Sequence, residues 1–265
     1  MSAIVFIGGG RITSALVAGL HRAEYREAIV VHDRNPRKLR ALERDFGVAV
    51  EPDLEAAVAT ADILIIAVRP PAVAEMLDAI ARCGCNSNLL AISLAAGIPL
   101  KKLRPHLHPR VGWARAAPSP ICRIGRGLTA LTFARNLPGS DRKRVRRLFE
   151  LVGGVLEIPE SRFDAFNAVY SPGHGYHALA TLAKAAQDKG LERKTSLIAA
   201  AHALADAILY WRESTQKLFD LLQESATPGG TTGATLAAMD TAGYRRVIER
   251  GLSAGIRQAR ANARR

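Results

Sequence analysis

An eight-residue stretch near the carboxyl end of the chain, ATPGGTTG, combines residue types that expose backbone amides to a ligand. Pro228 ends one helical pattern, and Gly229 and Gly230 free the backbone to turn. Thr231 and Thr232 then begin the next helix. Several N–H groups converge at such a helix start, where the helix dipole favours an anion. The stretch therefore predicts an anion site, although a pair of threonines is also typical of an ordinary capped helix.

A second glycine-rich segment, IVFIGGGRITSAL, follows the first apolar run of the chain. Gly8 permits a tight turn, and Gly10 lets the backbone approach a pyrophosphate at the start of a helix that contains Arg11 and Ile12. Strand, turn, helix and next strand follow in the order that a dinucleotide site requires, and a tight turn without a ligand is the alternative. Thr13 replaces the third glycine of the usual fingerprint, so we expect a slightly wider spacing between helix and strand.

The segment VVHDRNPRK lies where such folds select between the two nicotinamide cofactors. Asp33 could accept hydrogen bonds from a ribose 2′-hydroxyl, which favours NADH. The polar side chains that could instead hold a 2′-phosphate, and so favour NADPH, are those of Arg34, Asn35, Arg37 and Lys38. The balance favours NADPH.

The segment AVRPPAV follows the apolar run DILII and should lie at the carboxyl edge of the sheet, where ligands of open α/β folds bind. We expect Ala67, Val68 and Arg69 to line the nicotinamide side of the site. Pro70 and Pro71 break the chain there, and Pro71 alone is also typical of a helix start.

These segments must be positioned by a parallel sheet. Up to residue 158, apolar runs such as AIVFIG, AIVVHD, DILIIAV and NLLAISL alternate with helical patterns, and GLTALTFA and GGVLEIP should extend the edge of the sheet. The pattern predicts an α/β Rossmann-type doubly wound domain over residues 1–158 with right-handed crossovers.

The remaining residues, 159–265, are helical in pattern and predict an all-α domain. One apolar face persists over about three turns of a helix, which suits burial against a second copy of the chain. Its members are Leu197, Ile198, Ala201, Leu204, Ala205, Ile208 and Leu209.

Composition narrows the possible classes of protein. The apolar runs are too short or too interrupted to cross a bilayer, and the amino terminus lacks a signal peptide, so we expect a cytoplasmic protein that does not bind membranes. The formal charge of +13 is dispersed, and its densest run, DRKRVRRLFELV, is typical of a solvated helix face rather than a nucleic-acid surface. Cys83, Cys85 and Cys122 lack metal-ligand spacing, so we expect free thiols and no metal.

Six motifs occur along the chain in the order IGGGRITSAL, AVRP, SLAAG (93–97), RAAP (115–118), GLT (127–129) and TPGGTTGATLAAMD. With these motifs in the order of the family, the chain resembles the pyrroline-5-carboxylate reductase family along essentially its whole length. The last motif is the most specific, because a Ser/Thr-Pro-Gly-Gly-Thr-Thr turn opening a helix is the signature of the family. The resemblance implies a Rossmann domain, a helical dimerisation domain, NAD(P)H as hydride donor, a cyclic imine carboxylate as substrate, and homodimers or larger assemblies.

Hydride transfer to an imine carbon requires a clamp on the ring and a protonated or hydrogen-bonded nitrogen. The turn from Pro228 to Thr232 would hold the carboxylate, and an iminium supplies its own electrophilicity, so a strong protein acid is not essential. We expect Thr231, Ser171 and His174 to serve the chemical step. His174 could donate a proton to the nitrogen, although a histidine at a helix start is also typical of a capping or surface residue.

Several residues depart from the family pattern. Ser119 and Pro120 stand where the family commonly has asparagine and threonine, His174 falls on an aromatic position, and Ala180 replaces a glutamate. The default expectation is reduction of 1-pyrroline-5-carboxylate to L-proline. The alternatives are a reductase of a six-membered or substituted cyclic imine, a cofactor-binding protein without turnover, and, on charge alone, a nucleic-acid-associated protein.

Overall fold

A computed structural model describes residues 3–84 and 88–262. Unit 1 of the chain comprises the described residues of Met1–Tyr170 and Gly255–Arg265, and unit 2 comprises Ser171–Ala254. The domain boundary expected after residue 158 stays a prediction. Cys83 and Cys122 form no disulfide bond within the described residues, and Cys85 lies outside them.

Unit 1 contains an eight-stranded sheet in the order β3-β2-β1-β4-β5-β6-β7-β8. Its strands are β1 (Ala3–Ile7), β2 (Ala28–His32), β3 (Ala49–Val50), β4 (Ala61–Ile66), β5 (Leu90–Ser93), β6 (Gly112–Ala117), β7 (Gly127–Phe133) and β8 (Gly153–Glu157). All neighbours are parallel except β6 and β7, which are antiparallel. Each of the six apolar runs forms a strand as predicted, and β3 and β6 are additional.

Helices cover both faces of this sheet, which confirms the doubly wound class. They are α1 (Arg11–Arg22), α2 (Pro36–Phe46), α3 (Leu54–Ala59), α4 (Val73–Arg82), α5 (Leu100–Leu103), α6 (Gly139–Glu150) and α7 (Phe163–Val169). Alternate residues of β1 enter two separate cores: Ile4 and Phe6 pack with residues of α1, α2 and α6, and Val5 and Ile7 pack with residues of α3, α4 and α5.

The basic run in α6 forms ion pairs within unit 1. Arg144 contacts Asp62, and Arg146 contacts Glu157 at 3.3 Å. The opposite face buries Val145 and Leu148, as the helical spacing predicts. Leu151 lies past the last turn of α6, where it is the C-cap residue and is exposed.

The chain beyond residue 158 continues to pack on the sheet before unit 2 begins. Phe163 is buried against Ala117 and Ala130, and the backbone N–H of Leu128 donates to the hydroxyl of Tyr170 at 2.6 Å. Tyr170 therefore packs within unit 1. These contacts explain why unit 1 extends to Tyr170.

Unit 2 is helical, with α8 (Pro172–Asp188), α9 (Arg193–Glu213), α10 (Leu218–Ser225), α11 (Thr231–Thr241) and the first part of α12 (Tyr244–Asn262). No side chain of α10 or α11, both fully described, is buried. Large apolar side chains of unit 2 are exposed instead, among them Ile208, Leu209, Phe219 and Val247. Among the described residues, no helix has the length and apolar character needed to cross a membrane.

Candidate cofactor and substrate sites

A cavity of about 440 Å³ lies at the carboxyl ends of β1, β2 and β4, the edge at which doubly wound sheets bind ligands. Lys38, predicted as a possible ligand of the 2′-phosphate, and His32, for which the sequence suggested no role, also line it. The predicted cofactor residues that line this cavity are Gly8, Gly10, Asp33, Arg34, Ala67, Val68 and Arg69. Arg11 and Ile12 form the first turn of α1, and Asn35 precedes α2.

The glycine turn between β1 and α1 has two different requirements. Gly8 has φ +109°, and a Cβ atom there would lie 2.9 Å from the carbonyl oxygen of Ala67, so only glycine fits. Gly10 is the N-cap of α1 without a side-chain capping bond, and an added Cβ atom at Gly10 would have nothing within 4 Å. The space before the helix is therefore open to an anion, and these residues fit the pyrophosphate of a dinucleotide.

Thr13 occupies the third position of the glycine fingerprint without leaving a polar group unpaired. Its side chain is buried, and its hydroxyl donates to the carbonyl oxygen of Gly8. The wider helix–strand spacing expected from Thr13 stays a prediction. The contact of α1 that does require a glycine occurs at Gly19, where an added Cβ atom would collide with the carbonyl oxygen of Cys122.

The carboxylate of Asp33 is bound by its own loop. Its Oδ2 accepts from the backbone N–H of Gly9 at 2.8 Å and from Nζ of Lys38 at 2.9 Å, and its Oδ1 accepts from the backbone N–H of Asn35 at 2.8 Å. Partial burial raises the pKa of Asp33, but the hydrogen bonds from Lys38, Asn35 and Gly9 outweigh it and leave the pKa below its ordinary value. The group stays ionised at neutral pH.

The other polar residues of the cofactor-selectivity segment, VVHDRNPRK at residues 30–38, have contacts of their own. The side-chain oxygen of Asn35 caps α2 by accepting from the backbone N–H of Arg37 at 3.0 Å. Arg34 lies 3.8 Å from Glu75 in an exposed ion pair, which contributes little to stability. Of the predicted phosphate ligands, Arg34 and Lys38 line the cavity.

The backbone of the segment after β4 stays hydrogen-bonded to the end of β1. The N–H of Ala67 donates to the carbonyl oxygen of Ile7 at 2.8 Å, so the loop from Ala67 to Arg69 starts directly beside the glycine turn. Pro70 and Pro71 form a short 3₁₀ turn, Pro70–Ala72, that leads into α4. The prolines thus start a helix, which is the alternative role that the sequence offered for Pro71. Pro71 also lines the cavity.

In unit 2, the ATPGGTTG stretch forms a turn between α10 and α11. Gly229 has φ +74°, and the N–H of Gly230 donates to the carbonyl oxygen of Thr227 at 3.0 Å. Gly230 is the N-cap of α11 and provides no side-chain capping bond. Thr231 and Thr232 lie inside the helix rather than capping it, which rules against the capped-helix alternative. Their amides are the first of the helix and have no partner within it.

Two predicted catalytic residues lie in one turn of unit 2. Ser171 is the N-cap of α8, where its Oγ accepts from the backbone N–H of Gly173 at 3.2 Å. The backbone N–H of His174 donates to the carbonyl oxygen of Ser171 at 3.0 Å, and the side chain of His174 is exposed. Ser171 therefore has a structural role in addition to any chemical one. Ala180 follows on the same helix.

Sequence reasoning missed a buried ionic cluster around Arg115 of β6. Nη1 of Arg115 lies 3.2 Å from Oε1 of Glu160, and its guanidinium stacks 4.4 Å from the ring centre of Phe163. Glu160 also accepts from the backbone N–H of Leu100 at 2.6 Å, which ties the start of α5 to β6. Burial lowers the pKa of Arg115, and the charges of Glu160 and Asp164 oppose that shift. The signal available in the sequence was an arginine inside the otherwise small and apolar motif RAAP.

Comparisons with known proteins cover nearly the whole chain. Residues 3–97 match the family model described as NADP oxidoreductase coenzyme F420-dependent, and residues 160–262 match the model of pyrroline-5-carboxylate reductase dimerisation. The pyrroline-5-carboxylate reductase of Mycobacterium tuberculosis H37Rv is 30% identical over 96% of this chain and 94% of its own. That of Synechocystis is 27% identical over 96% and 95%.

Solved structures show the same fold. The pyrroline carboxylate reductase of Plasmodium falciparum, with NADP bound, has a TM-score of 0.88 at 21% identity and 98% coverage of each chain. The 1-pyrroline-5-carboxylate reductase of Streptococcus pyogenes has a TM-score of 0.89 at 22% identity, covering 98% of this chain and 99% of its own.

Proposed function

This chain belongs to the pyrroline-5-carboxylate reductase family, and we propose on that premise that it reduces the C=N bond of a cyclic imine carboxylate, 1-pyrroline-5-carboxylate to L-proline, with NADPH or NADH. It is an NAD(P)H-dependent oxidoreductase. One observation carries the proposal: this chain combines an open glycine turn in unit 1 with an uncapped helix start in unit 2. A cytoplasmic location stays a prediction from the amino-terminal sequence.

The cofactor would be held by backbone atoms at the carboxyl edge of the sheet. Gly8 and Gly10 let the pyrophosphate approach the first amides of α1, at Arg11 and Ile12. The loop from Ala67 to Arg69 would line the nicotinamide side, beside the glycine turn. When bound, the reduced nicotinamide supplies the hydride, and the work of the chain is to hold and orient it.

The substrate carboxylate would bind at the start of α11. The N–H of Gly230 is already donated to Thr227, and Pro228 has no N–H, so the donors of the proposed clamp are the amides of Gly229, Thr231 and Thr232. Amide bonds to a carboxylate are charge-assisted and directional, and the helix dipole adds to them. Such a clamp fixes the ring so that one face of the imine carbon is presented for reduction.

Contact with the ring nitrogen and its protonation are assigned to side chains at the starts of α8 and α11. An iminium is electrophilic without further activation, so the chain needs only a hydrogen-bonding group at that nitrogen. We assign this contact to the hydroxyl of Thr231 or of Ser171. His174, in the first turn of α8, would supply the proton, because imidazole exchanges protons near neutral pH.

Self-association is the state that unit 2 favours. The match to the dimerisation model supports a homo-oligomer, and the exposed apolar side chains of α9, α10 and α12 are more numerous than a monomeric surface normally carries. A second copy of the same surface would cover them symmetrically. We propose a homodimer as the smallest active form.

A related activity on another ring is the second candidate, motivated by the residues that depart from the family pattern. Ser119 is buried as the cap of a 3₁₀ turn, Pro120–Ile124, and Ala180 removes a carboxylate from α8. Smaller or altered side chains in these segments would suit a six-membered or substituted ring.

Steady-state turnover with NADPH separates the two candidates. We expect kcat/KM to be highest for 1-pyrroline-5-carboxylate and lower for piperideine carboxylates. If the five-membered ring is the poorest substrate of the set, the activity belongs to the second candidate. Binding of NADPH without consumption of any imine would instead indicate a cofactor-binding protein without turnover.

A further inference from the structure

The selectivity segment contains a charge arrangement that its sequence does not reveal. The carboxylate of Asp33 already accepts three hydrogen bonds, from the amides of Gly9 and Asn35 and from Nζ of Lys38. Only 11% of the Asp33 side chain is exposed, whereas 46% of the Lys38 side chain is. The ammonium group of Lys38 therefore contacts a nearly covered carboxylate, while the Lys38 side chain remains accessible and both residues line the cavity.

This arrangement changes what Asp33 can do for a nucleotide. An acidic residue at this place favours NADH when its carboxylate is available to ribose hydroxyls and repels a 2′-phosphate. Here the negative charge is paired with Lys38, and the carboxylate is engaged in holding Gly9, the middle residue of the glycine turn. Both effects weaken the preference for NADH that the aspartate alone would give.

We propose that Lys38 is the residue that determines cofactor choice, by neutralising Asp33 and binding the 2′-phosphate of NADPH, and that Asp33 is a positioning residue for the glycine turn. The inference rests on the proposed function only in assigning a nicotinamide dinucleotide to this cavity. It assigns to Lys38 alone the selection that the sequence left divided between Asp33 and several basic or polar side chains.

Two different responses to substitution follow. Without the charge of Lys38, the Asp33 carboxylate would be left unpaired beside the 2′-phosphate and would repel it, while it would still accept from the hydroxyl of NADH. Without the carboxylate of Asp33, Gly9 loses its anchor, and both nucleotides depend equally on the glycine turn. Removing the charge of Lys38 therefore alters the ratio of the NADPH and NADH affinities, whereas removing the carboxylate of Asp33 lowers both affinities.

The test is a set of dissociation constants for NADPH and NADH, measured by nicotinamide fluorescence or calorimetry on the full-length protein with no imine present. In Lys38→Met we expect the affinity for NADPH relative to NADH to fall about tenfold or more, and in Lys38→Arg we expect it to be retained. Asp33→Ala should weaken both nucleotides by similar factors. Arg40→Met is the matched control, because it removes one positive charge from an exposed residue of the same helix.

The results that would overturn the proposal are distinct from those that would overturn the function. An unchanged NADPH-to-NADH ratio in Lys38→Met, or a loss confined to NADH in Asp33→Ala, contradicts the role of Lys38 even if the protein reduces imines normally. If the ratio shifts as expected while no imine is consumed, the inference stands and the reductase function fails. A wild-type protein that binds neither nucleotide overturns both. Circular dichroism of each variant establishes that it is folded.

Discussion

Gly8 and Gly10 are two residues apart, yet they are glycines for different reasons. A side chain at Gly8 would have both a left-handed backbone and a contact of 2.9 Å with the carbonyl oxygen of Ala67. At Gly10 φ is −83°, which any residue adopts, and an added Cβ atom would enter open space. The first glycine is required by the fold, and the second leaves room for a ligand.

This difference predicts separable effects of two alanine substitutions. Gly8→Ala should lower the free energy of unfolding by at least about 1 kcal/mol, because of its φ and the clash with Ala67, and should also weaken NADPH binding. Gly10→Ala should lower stability less than Gly8→Ala does, because alanine is a poorer N-cap than glycine but meets no clash there. It should weaken NADPH binding, since its methyl group would occupy the approach to the pyrophosphate. Urea denaturation and NADPH titration measure the two quantities. A stable, NADPH-binding Gly10→Ala variant would contradict the assignment of the pyrophosphate.

Residue types in the selectivity segment were predictable from the sequence, but their contacts were not. From the sequence, Asp33 could accept from a ribose hydroxyl or Asn35 could hold a phosphate. The contacts within the chain are an ion pair of Asp33 with Lys38, a hydrogen bond from Gly9 to Asp33, and Asn35 as a helix cap. Two of the donors to Asp33, Asn35 and Lys38, are close to it in sequence, but Gly9 is 24 residues away. The parallel pairing of β1 with β2 brings Gly9 to Asp33, so local pattern could not identify that contact.

At the scale of elements, strands rich in β-branched residues were predictable and strands without them were not. The runs that became β1, β2, β4 and β5 are continuous and apolar, as buried parallel strands require. β6 reads GWARAA, which has low intrinsic strand preference, and it is fixed by pairing with β5 and β7 on both sides. Tertiary context also places Arg115 in the middle of β6, where the carboxylate of Glu160 compensates the charge of the guanidinium.

The start of α11 is the element whose function depends most on the absence of a cap. A negative charge in the first turn would interact favourably with the helix dipole and would repel a substrate carboxylate. In Thr231→Glu we therefore expect KM for the imine to rise about tenfold or more. The dissociation constant of NADPH should not change, because the residues of the cofactor cavity belong to unit 1.

Thr231→Gln is the matched comparison, since it has the same size as the glutamate variant without its charge. It isolates the loss of the threonine hydroxyl from the effect of charge. Equal KM values in the two variants would show that no carboxylate binds at this helix start. Steady-state kinetics at saturating NADPH provides the measurement.

At the scale of the whole molecule, the two units differ in how they bury apolar residues. Unit 1 has a core on each face of its sheet, whereas the long helix α9 buries only Ser196 and Ala200 and exposes Leu197, Ile198 and Ile208. The apolar face of α9 was predictable from its spacing. The identity of what covers it was not, because spacing alone does not distinguish a partner within the chain from a second copy.

The final prediction concerns this face. Ile208 and Leu209 are 56% and 55% exposed, and replacing both with glutamate would bury unpaired charges in a symmetric interface. We expect the Ile208→Glu/Leu209→Glu protein to be monomeric by analytical ultracentrifugation and to lose imine reduction while it keeps NADPH binding in unit 1. Ile124→Glu, at a 53% exposed residue of unit 1, should remain dimeric and active. A dimeric double variant would exclude α9 from the interface, and a monomeric variant with full turnover would show that one copy is sufficient for catalysis.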